Sequence, residues 1–256
     1  NGSTTYNFLL IPYTSDGVND STTNYLTSGA VTVTATTSST LPPSIVTPTA
    51  SSITESSVVL GATISADGGA SITNRGTVYK SSSPVLATDN YSSEGGTTTG
   101  VYSHTRSGLS PQTRYYFAGV ATNAGGSTGL SVESSFFTLS NPPVSEATNL
   151  NPTLITGNRM DLSWSSASFP ASGATVKGYV LLRAEGTNTP TLANSNGAAP
   201  SAGANTTIVS SSILGTATTI SVTGLSPVTT YNFVIIPFTW DGTNAATYNY
   251  YTTNAA

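Results

Sequence analysis

The sequence predicts an all-β protein built from tandem antiparallel β-sandwiches. Apolar and polar residues alternate with a period of two, as in Met160, Leu162 and Trp164 against Asp161 and Ser163. Such alternation is typical of strands that bury one face. We find no apolar stripe with a helical period, and Gly or Pro interrupts the chain about every dozen residues. Short strands at that spacing favour a sandwich.

An internal repeat with a constant offset of 225 residues supports this strand assignment. Residues 4–14 read TTYNFLLIPYT and residues 229–239 read TTYNFVIIPFT, with 8 of 11 positions identical. The likeness continues as far as Tyr25 and Tyr250, and a weaker third copy lies at residues 108–117. The chain therefore carries the same strand pattern three times.

Two Pro-Pro steps mark the predicted joints between units, because Pro-Pro favours an extended, semi-stiff connection. We predict three segments. Residues 1–40 are the last two strands, F and G, of a partial unit. Residues 41–139 are a complete sandwich, and residues 140–256 are a sandwich without its last strand. The third segment also carries an insertion rich in Gly, Ala, Asn and Ser at residues 194–207, predicted to be a long loop or a mobile hairpin.

The composition limits the classes of function. Only 7% of the 256 residues are charged, against roughly 25% in ordinary soluble domains, and Ser, Thr, Asn and Gly take their place. Seven basic residues and a net charge of −4 make nucleic acid an unexpected partner. No apolar stretch is long enough to span a membrane. Without cysteine, the chain has no disulfides and no thiolate chemistry. This composition suits a secreted, extracellular protein.

A Leu followed six residues later by a Tyr, with a Pro between them, occurs at Leu109 and Tyr115 and again at Leu225 and Tyr231. This pattern resembles the corner between strands E and F of fibronectin type III domains, which are immunoglobulin-like sandwiches. Residues 162–164 resemble their strand B. In the middle segment, Leu60 or Ala62 stands in the place of the strand B tryptophan. The resemblance implies a structural core that includes Leu109, Tyr115, Phe117, Leu162, Trp164, Leu225, Tyr231 and Phe233.

The chain resembles more closely a Ser/Thr-rich variety of these domains, found in very large secreted surface proteins of Bacteroidota-type bacteria. Residues 65–79 are similar to its signature for strands B and C, and residues 115–126 are similar to its strand F. Residues 24–27 and 249–254 resemble a sister subtype. The resemblance covers nearly the whole chain and implies secretion to the cell surface.

The two ends of the sequence do not match in strand content. Residues 1–40 carry two expected strands, about residues 6–13 and 31–36, whereas Ala256 aligns with Val31 and no counterpart of residues 32–36 follows it. In one interpretation, the sequence is a window on a longer repetitive chain. In the other, residues 1–40 of one copy complete the open sandwich of the next, which gives a head-to-tail filament by strand complementation. The candidate assembly residues are then Val31, Val33, Ala35, Tyr250 and Tyr251.

Catalytic and metal-binding patterns are weak. The single histidine, His104, is expected on the surface of a strand, and no nucleophile elbow accompanies it. Asp16 and Asp20 lie together in one segment, but Asp-Gly at residue 16 is first a turn signal, and a calcium site would need more oxygen ligands. We therefore predict no catalytic residue, no metal and no cofactor. The arginines at positions 75, 106 and 114 are expected to be solvated.

Aromatic side chains and glycosylation patterns leave two further hypotheses. Trp240, Tyr248, Tyr250 and Tyr251 cluster in sequence, which fits core or interdomain packing, a subunit contact or a surface that binds carbohydrate. Candidate glycosylation residues are Ser21, Asn90 and Asn205.

We expect a non-enzymatic extracellular structural or adhesive scaffold whose partners are copies of itself or neighbouring repeats. Glycans are a further candidate partner. The alternative is a carbohydrate-binding or spacer module of a secreted multidomain enzyme.

Overall fold

The structure is a computed structural model that describes residues 4–26, 28–36 and 40–251. These residues form strands, loops and two short 3₁₀ turns, at Asp20–Thr22 and Ala245–Thr247, and no α-helix occurs among them. Consequently, the described residues contain no helix long and apolar enough to cross a membrane. The all-β prediction is confirmed.

Among the described residues, the first four strands pair only with one another and form a ribbon, which we call the N-terminal hairpin. Its strands are β1 (Thr5–Leu10), β2 (Tyr13–Thr14), β3 (Asn24–Tyr25) and β4 (Val31–Thr36). Strand β1 pairs antiparallel with β4, from Thr5 opposite Thr36 to Leu10 opposite Val31, and β2 pairs with β3. The expected strand at residues 6–13 is divided, with Ile11 and Pro12 in the break.

Strands β5 to β12 form the first sandwich. They are β5 (Ser44–Ser51), β6 (Ser57–Ala66), β7 (Ile72–Lys80), β8 (Ser92–Ser93), β9 (Gly100–Ser107), β10 (Arg114–Asn123), β11 (Thr128–Leu130) and β12 (Ser134–Phe137). One sheet has the order β5-β6-β9, and the other has the order β11-β10-β7-β8 with β12 also paired to β10. The two sheets enclose the buried side chains of Leu60, Tyr115 and Phe117.

Strands β13 to β19 form the second sandwich. They are β13 (Thr148–Ile155), β14 (Arg159–Ser165), β15 (Val176–Glu185), β16 (Thr207–Leu214), β17 (Thr219–Thr223), β18 (Tyr231–Trp240) and β19 (Asn249–Tyr250). The order of one sheet is β13-β14-β17 and that of the other is β16-β15-β18-β19. The strand order repeats that of the first sandwich, which makes both units fibronectin type III-like. The predicted segment boundaries stay predictions, and the expected absence of a strand after β19 concerns residues 252–256, which lie outside the described residues.

Trp164 lies at the centre of the second sandwich. Its ring contacts Tyr179 edge-on, with centroids 5.6 Å apart, and the surrounding core includes Leu162, Val222 and Ile235. Its Nε1 is buried without a hydrogen-bond partner, a cost that the large apolar area of the indole must outweigh. In the first sandwich, Leu60 of β6 is fully buried at the corresponding strand.

The tyrosine corner is built identically in both sandwiches. The backbone N–H of Ser110 donates to the hydroxyl of Tyr115 at 3.0 Å, and the N–H of Ser226 donates to the hydroxyl of Tyr231 at 2.9 Å. Leu109 and Leu225, six residues earlier in each case, are buried. Tyr231 itself is only partly buried, as is Phe233.

The N-terminal hairpin exposes apolar side chains whose repeat counterparts are buried. Leu10 is 73% exposed, whereas Ile235, its counterpart in β18, is fully buried. Tyr13 and Tyr25 are likewise exposed, whereas Tyr250 is buried. For Leu10, the difference arises because sheet β13-β14-β17 covers the inner face of β18, and in the described residues no second sheet covers β1 and β4. Tyr250 belongs to the apolar cluster on the other face of β18.

The insertion after β15 packs against the protein surface. Leu192 forms an isolated bridge with Ala202, and Leu192 packs in the apolar cluster on the outer face of β15 and β18. The hydroxyl of Tyr250 donates to the carbonyl of Ala198 at 2.7 Å, and its N–H donates to Asn196 Oδ1 at 2.7 Å. The segment that was expected to be a long loop or a mobile hairpin thus covers a second apolar face of the sheet.

Truncation of Trp164 to Ala should lower the free energy of unfolding of the second sandwich by about 3–5 kcal/mol, because it removes the largest buried side chain and leaves a cavity. Chemical denaturation of the full chain measures this loss. Leu214→Ala, at an exposed position, is the control and should change little. An equal effect of the two substitutions would contradict the placement of Trp164 in the core.

Removal of the hydroxyl in Tyr231→Phe should lower the free energy of unfolding by about 0.5–1.5 kcal/mol, because the N–H of Ser226 loses its acceptor. Tyr115→Phe in the first sandwich is the matched variant and should behave alike. Equilibrium unfolding of each variant tests this, and two unchanged midpoints would show that the corner hydrogen bonds contribute nothing.

Candidate functional site

The joint between the two sandwiches is the most elaborate polar site in the described chain. Ser140, in the connecting segment, donates its N–H to the carbonyl of Thr247 at 2.9 Å. Its carbonyl accepts from Asn249 Nδ2 at 2.8 Å, and its hydroxyl accepts from Gln112 Nε2 at 2.9 Å. Ser140 and Thr247 are fully buried, and Asn249 nearly so. The connection is therefore an internal part of the structure.

Gln112 bridges the two sandwiches directly. It lies in the corner before β10, and its N–H donates to the carbonyl of Leu139 at 3.1 Å. Its Oε1 accepts from the hydroxyl of Thr175, in the loop before β15, at 3.2 Å. Two side-chain bonds and one backbone bond from one residue thus fix the first sandwich, the connection and the second sandwich together.

The residue before each Pro-Pro step is held in the same way. Asn141 donates its N–H to the carbonyl of Gly173 at 2.6 Å and accepts from the Thr239 hydroxyl at 2.7 Å. At the earlier step, the N–H of Leu41 donates to the carbonyl of Gly68 at 2.8 Å, and its carbonyl accepts from Asn123 Nδ2 at 2.8 Å. In both cases, the residue before the Pro-Pro step is therefore hydrogen-bonded to the sandwich that follows it.

Glycine is required at this contact. Gly68 and Gly173 have φ values of 78° and 69°, in the left-handed region that favours glycine. A Cβ on Gly68 would collide with the carbonyl oxygen of Leu41, and one on Gly173 would collide with the side chain of Asn141. The close approach of the connecting segment therefore depends on the missing side chain.

A cleft of about 700 Å³ lies beside the joint. Its lining comes from the open edge of the first sandwich, including Ile53, Phe136 and Leu139, and from residues 195–197 and Ala246 of the second sandwich.

A second polar cluster fills the open edge between the sheets of the first sandwich. His104 Nε2 and the Thr77 hydroxyl are 2.7 Å apart. The same hydroxyl oxygen accepts from Arg106 Nη1 at 2.9 Å, and Arg106 also donates to the carbonyl of Asn90. Because Thr77 accepts from the guanidinium, its own hydrogen is free to point at His104. The arrangement favours a neutral ring with its proton on Nδ1.

Charged neighbours surround this cluster. Burial lowers the pKa of His104 below its ordinary value of 6.5, the Arg106 charge lowers it further, and Glu94 opposes both. Arg75 pairs with Glu94, with Nε 2.7 Å from Oε2. Burial also raises the pKa of Tyr102 to about 12.

The predicted solvated positions of Arg75 and Arg106 are corrected by this geometry, and His104 lies on strand β9, as expected, but is half-buried. Arg75 is 9% exposed and Arg106 is 8% exposed, and their guanidinium groups lie over the rings of Tyr102 and Tyr79. Long cationic side chains can cover apolar surface while their heads meet carbonyl oxygens. Arg114, at the start of β10, is exposed as expected.

The loop that contains Asp16 is a turn whose hydrogen bonds are internal. Asp16 Oδ1 accepts from the N–H groups of Val18 and Asn19 at 3.0 and 2.9 Å, and these bonds lower the pKa of Asp16. Asp241 repeats the arrangement at its own loop. Asp20 lies in the following 3₁₀ turn. No cluster of three or more His, Cys, Asp or Glu suited to a metal occurs in the described ranges.

The aromatic cluster of the second sandwich is stacked and largely enclosed. Trp240 stacks on Tyr248 with centroids 4.7 Å apart, and Tyr248 stacks on Tyr250 at 5.6 Å. Tyr248 and Tyr250 are 7% and 3% exposed, and Tyr251 is partly exposed. Ring faces that contact each other are not available to a sugar.

The remaining candidate residues lie on the surface. Val31, Val33 and Ala35 share one exposed face of β4, opposite Leu10, Phe8 and Tyr6. The candidate glycosylation residues Ser21, Asn90 and Asn205 are exposed. The joint residues Gln112, Ser140 and Asn249 were not predicted. The one sequence signal for any of them was the position of Gln112 next to the recurrent Leu-Ser-Pro corner.

No protein-family model matches the chain, and no curated protein matches it. Among solved structures, the chain is similar to the FN1–FN3 domains of chicken CNTN1. The identity is 15% and the TM-score 0.39, over 98% of this chain and 76% of that chain. The fibronectin type III-like fold rests on the repeated strand order.

Acid should destabilise the first sandwich through His104. Its pKa is lowered in the folded state, so below the ordinary value of 6.5 the unfolded chain binds a proton that the folded chain resists. The contribution of neutral His104 to the free energy of unfolding is complete above pH 6.5. It is lost as the pH falls towards the pKa of His104 in the folded state. Between about pH 7 and about pH 5, the free energy of unfolding should decrease.

His104→Gln should remove most of this slope. This pH range lies above 4.5, the ordinary pKa of Glu94. The pKa of Glu94 is also lowered, chiefly by its hydrogen bond to Arg75. Chemical denaturation between about pH 7 and about pH 5 measures how the free energy of unfolding depends on pH. NMR titration of the single histidine measures its pKa. A histidine that titrates at or above its ordinary value would contradict the geometry described.

Proposed function

We propose that this chain is an extracellular structural or adhesive scaffold, a repeat unit of a long surface protein or fibre. Its sandwiches would hold distant points apart at fixed geometry and join head to tail with copies or neighbouring repeats. The proposal includes secretion to the cell surface of a Bacteroidota-type bacterium, for which the Ser/Thr-rich resemblance is the support. No catalytic role is proposed.

The buried joint carries this proposal. Flexible linkers between independent domains are exposed and make few contacts. Here the connecting segment places Ser140 and its partners Thr247 and Asn249 in the interior. Bending the two sandwiches apart would break the bonds of Gln112 to Ser140 or to Thr175. A scaffold that transmits position along its length requires such a joint, whereas a tethered catalytic partner does not.

The surface chemistry suits a fibre in contact with water. Charged residues are 7% of the chain, so neighbouring rods would repel each other weakly, and hydroxyl and amide groups would keep them hydrated. The exposed Ser21, Asn90 and Asn205 are proposed acceptors of glycans. An intact mass equal to that of the bare chain would remove the glycoprotein part of the proposal.

The aromatic cluster does not favour the alternative of a carbohydrate-binding module. Tyr248 and Tyr250 are enclosed by the insertion after β15 and stack on their neighbours. A spacer role in a larger secreted protein is compatible with the same rigid joint, and it differs from the scaffold proposal in predicting no self-association.

Small-angle scattering of the full chain tests the rigid joint. The double variant Gln112→Ala and Asn249→Ala removes the side chains that bridge it, and should broaden the distribution of distances between the sandwiches. Asn205→Ala, at an exposed position, is the control and should match the wild type. A wild-type distribution already as broad as that of the double variant would contradict the proposal.

Electron microscopy of the full chain at rising concentration tests the fibre. We expect head-to-tail filaments with a repeat of roughly 70 Å, from two sandwiches whose ten-residue strands each span about 33 Å. Side-by-side clumps without an axial repeat would contradict head-to-tail joining.

A further inference from the structure

The cleft beside the joint is bounded on one side by a free strand edge. Strand β12 pairs with β10, with Phe136 opposite Tyr115 and Ser134 opposite Phe117. In the ranges that the structure describes, no strand pairs with the other edge of β12. All 4 residues of β12 line the cleft. The free edge therefore borders a cavity of about 700 Å³, a size typical of ligand sites.

The backbone groups on this edge follow from a hydrogen bond just beyond β12. Thr138 donates its N–H to the carbonyl of Thr113 at 3.0 Å, in continuation of the pairing of β12 with β10. Successive residues of an antiparallel strand alternate between facing the partner strand and facing away from it. The N–H and carbonyl of Phe136 therefore point towards β10. Those of Ser135 and Phe137 point away from β10, on the edge that is free.

The second sandwich provides the opposite wall of the cleft. Asn196 of the insertion lies there, and its Oδ1 accepts from the N–H of Tyr250 at 2.7 Å. Its Nδ2 makes no hydrogen bond within the described part of the chain. Ile53 and Leu139 add apolar surface, and none of the residues that line the cleft is charged. The cleft thus combines a strand edge, an amide donor and an apolar surface.

We propose that this cleft binds an extended, uncharged polypeptide segment of a partner protein, which adds as a strand to the free edge of β12. The donors and acceptors of Ser135 and Phe137 recur at every second residue, about 7 Å apart, as the backbone of an added strand requires. Addition of a strand to an open sheet edge is a general mode of peptide recognition. The inference goes beyond the scaffold proposal, because it locates a site for a different partner.

The lining determines the chemistry of the bound segment. A charged side chain would lose its hydration in the cleft and gain no counter-charge, which is costly. Apolar side chains at alternate positions would bury surface against Ile53 and Leu139. Hydroxyl side chains between them would suit the neighbouring Ser195 and Asn196. A neutral oligosaccharide could use the same polar groups, but it would leave the backbone edge of β12 unused.

NMR titration of the full chain with a peptide tests the site. The probe is a hexapeptide, blocked at both ends, that alternates valine and threonine. Binding should shift the amide signals of Ser135 and Phe137 and slow their hydrogen exchange, whereas the amide of Phe136 is already bonded to β10 and should change little. The matched control is the same peptide with every amide nitrogen methylated. It keeps the side chains, lacks all backbone donors and should not bind.

Ser135→Pro tests the edge from the side of the protein. Proline removes an N–H that points away from β10, so the pairing of β12 with β10 is retained. Binding of the peptide should weaken about tenfold. Ser135→Ala keeps the N–H and should bind as the wild type does. In a second variant, Asn196→Asp retains the acceptor for Tyr250 but brings a charge into the cleft, and it should also weaken binding. Equilibrium unfolding verifies that each variant is folded.

Several results would overturn the proposal. They are equal binding of the two peptides, unchanged affinity in both Ser135→Pro and Asn196→Asp, and no binding of the unmodified peptide at about 1 mM, the weak limit of specific recognition. Binding of cellohexaose without binding of the peptide would overturn it as well and would assign the cleft to neutral glycans. None of these results alters the distances between the sandwiches measured by scattering, so the scaffold proposal is tested separately.

Discussion

A β-ribbon with one apolar face is only marginally stable in water unless a second sheet covers that face, and this requirement shapes both sandwiches. In the two sandwiches it is met by sheets that are covalently adjacent, so Trp164 and Phe117 become buried cores. In the N-terminal hairpin it is not met by any described residue. The strand pattern is the same in both environments, and the surrounding sheets determine whether it forms a core or a surface.

The joint applies the same requirement to polar groups. A connection buried between two units must satisfy every backbone N–H and carbonyl that it removes from water. The chain does this with neutral side chains: amides at positions 112 and 249, hydroxyls at 140 and 239, and a glycine that allows close approach. The hydrogen bonds across the joint therefore connect the two sandwiches in addition to the Pro-Pro step that marks the joint in the sequence.

Alternation predicted which strands form and which faces they bury, since Val58, Leu60, Ala62 and Ile64 point inward together. It could not predict the outer apolar layer of the second sandwich, because the covering insertion has no periodicity. The continuous apolar run Tyr179–Leu182 was the available signal, since burial on both faces removes alternation. His104 and Arg106 were assigned to solvent because a sequence does not show where an open sheet edge admits polar side chains.

The near identity of β1 and β18 has a consequence for how such a chain reaches its native state. A strand that fits two acceptors can choose the wrong one during synthesis, and similar neighbouring domains are prone to such misassembly. The first sandwich lies between the two acceptors, and its sequence differs from both. Because the first sandwich lies between them, the duplicates emerge at different times during synthesis, which reduces the opportunity for such misassembly.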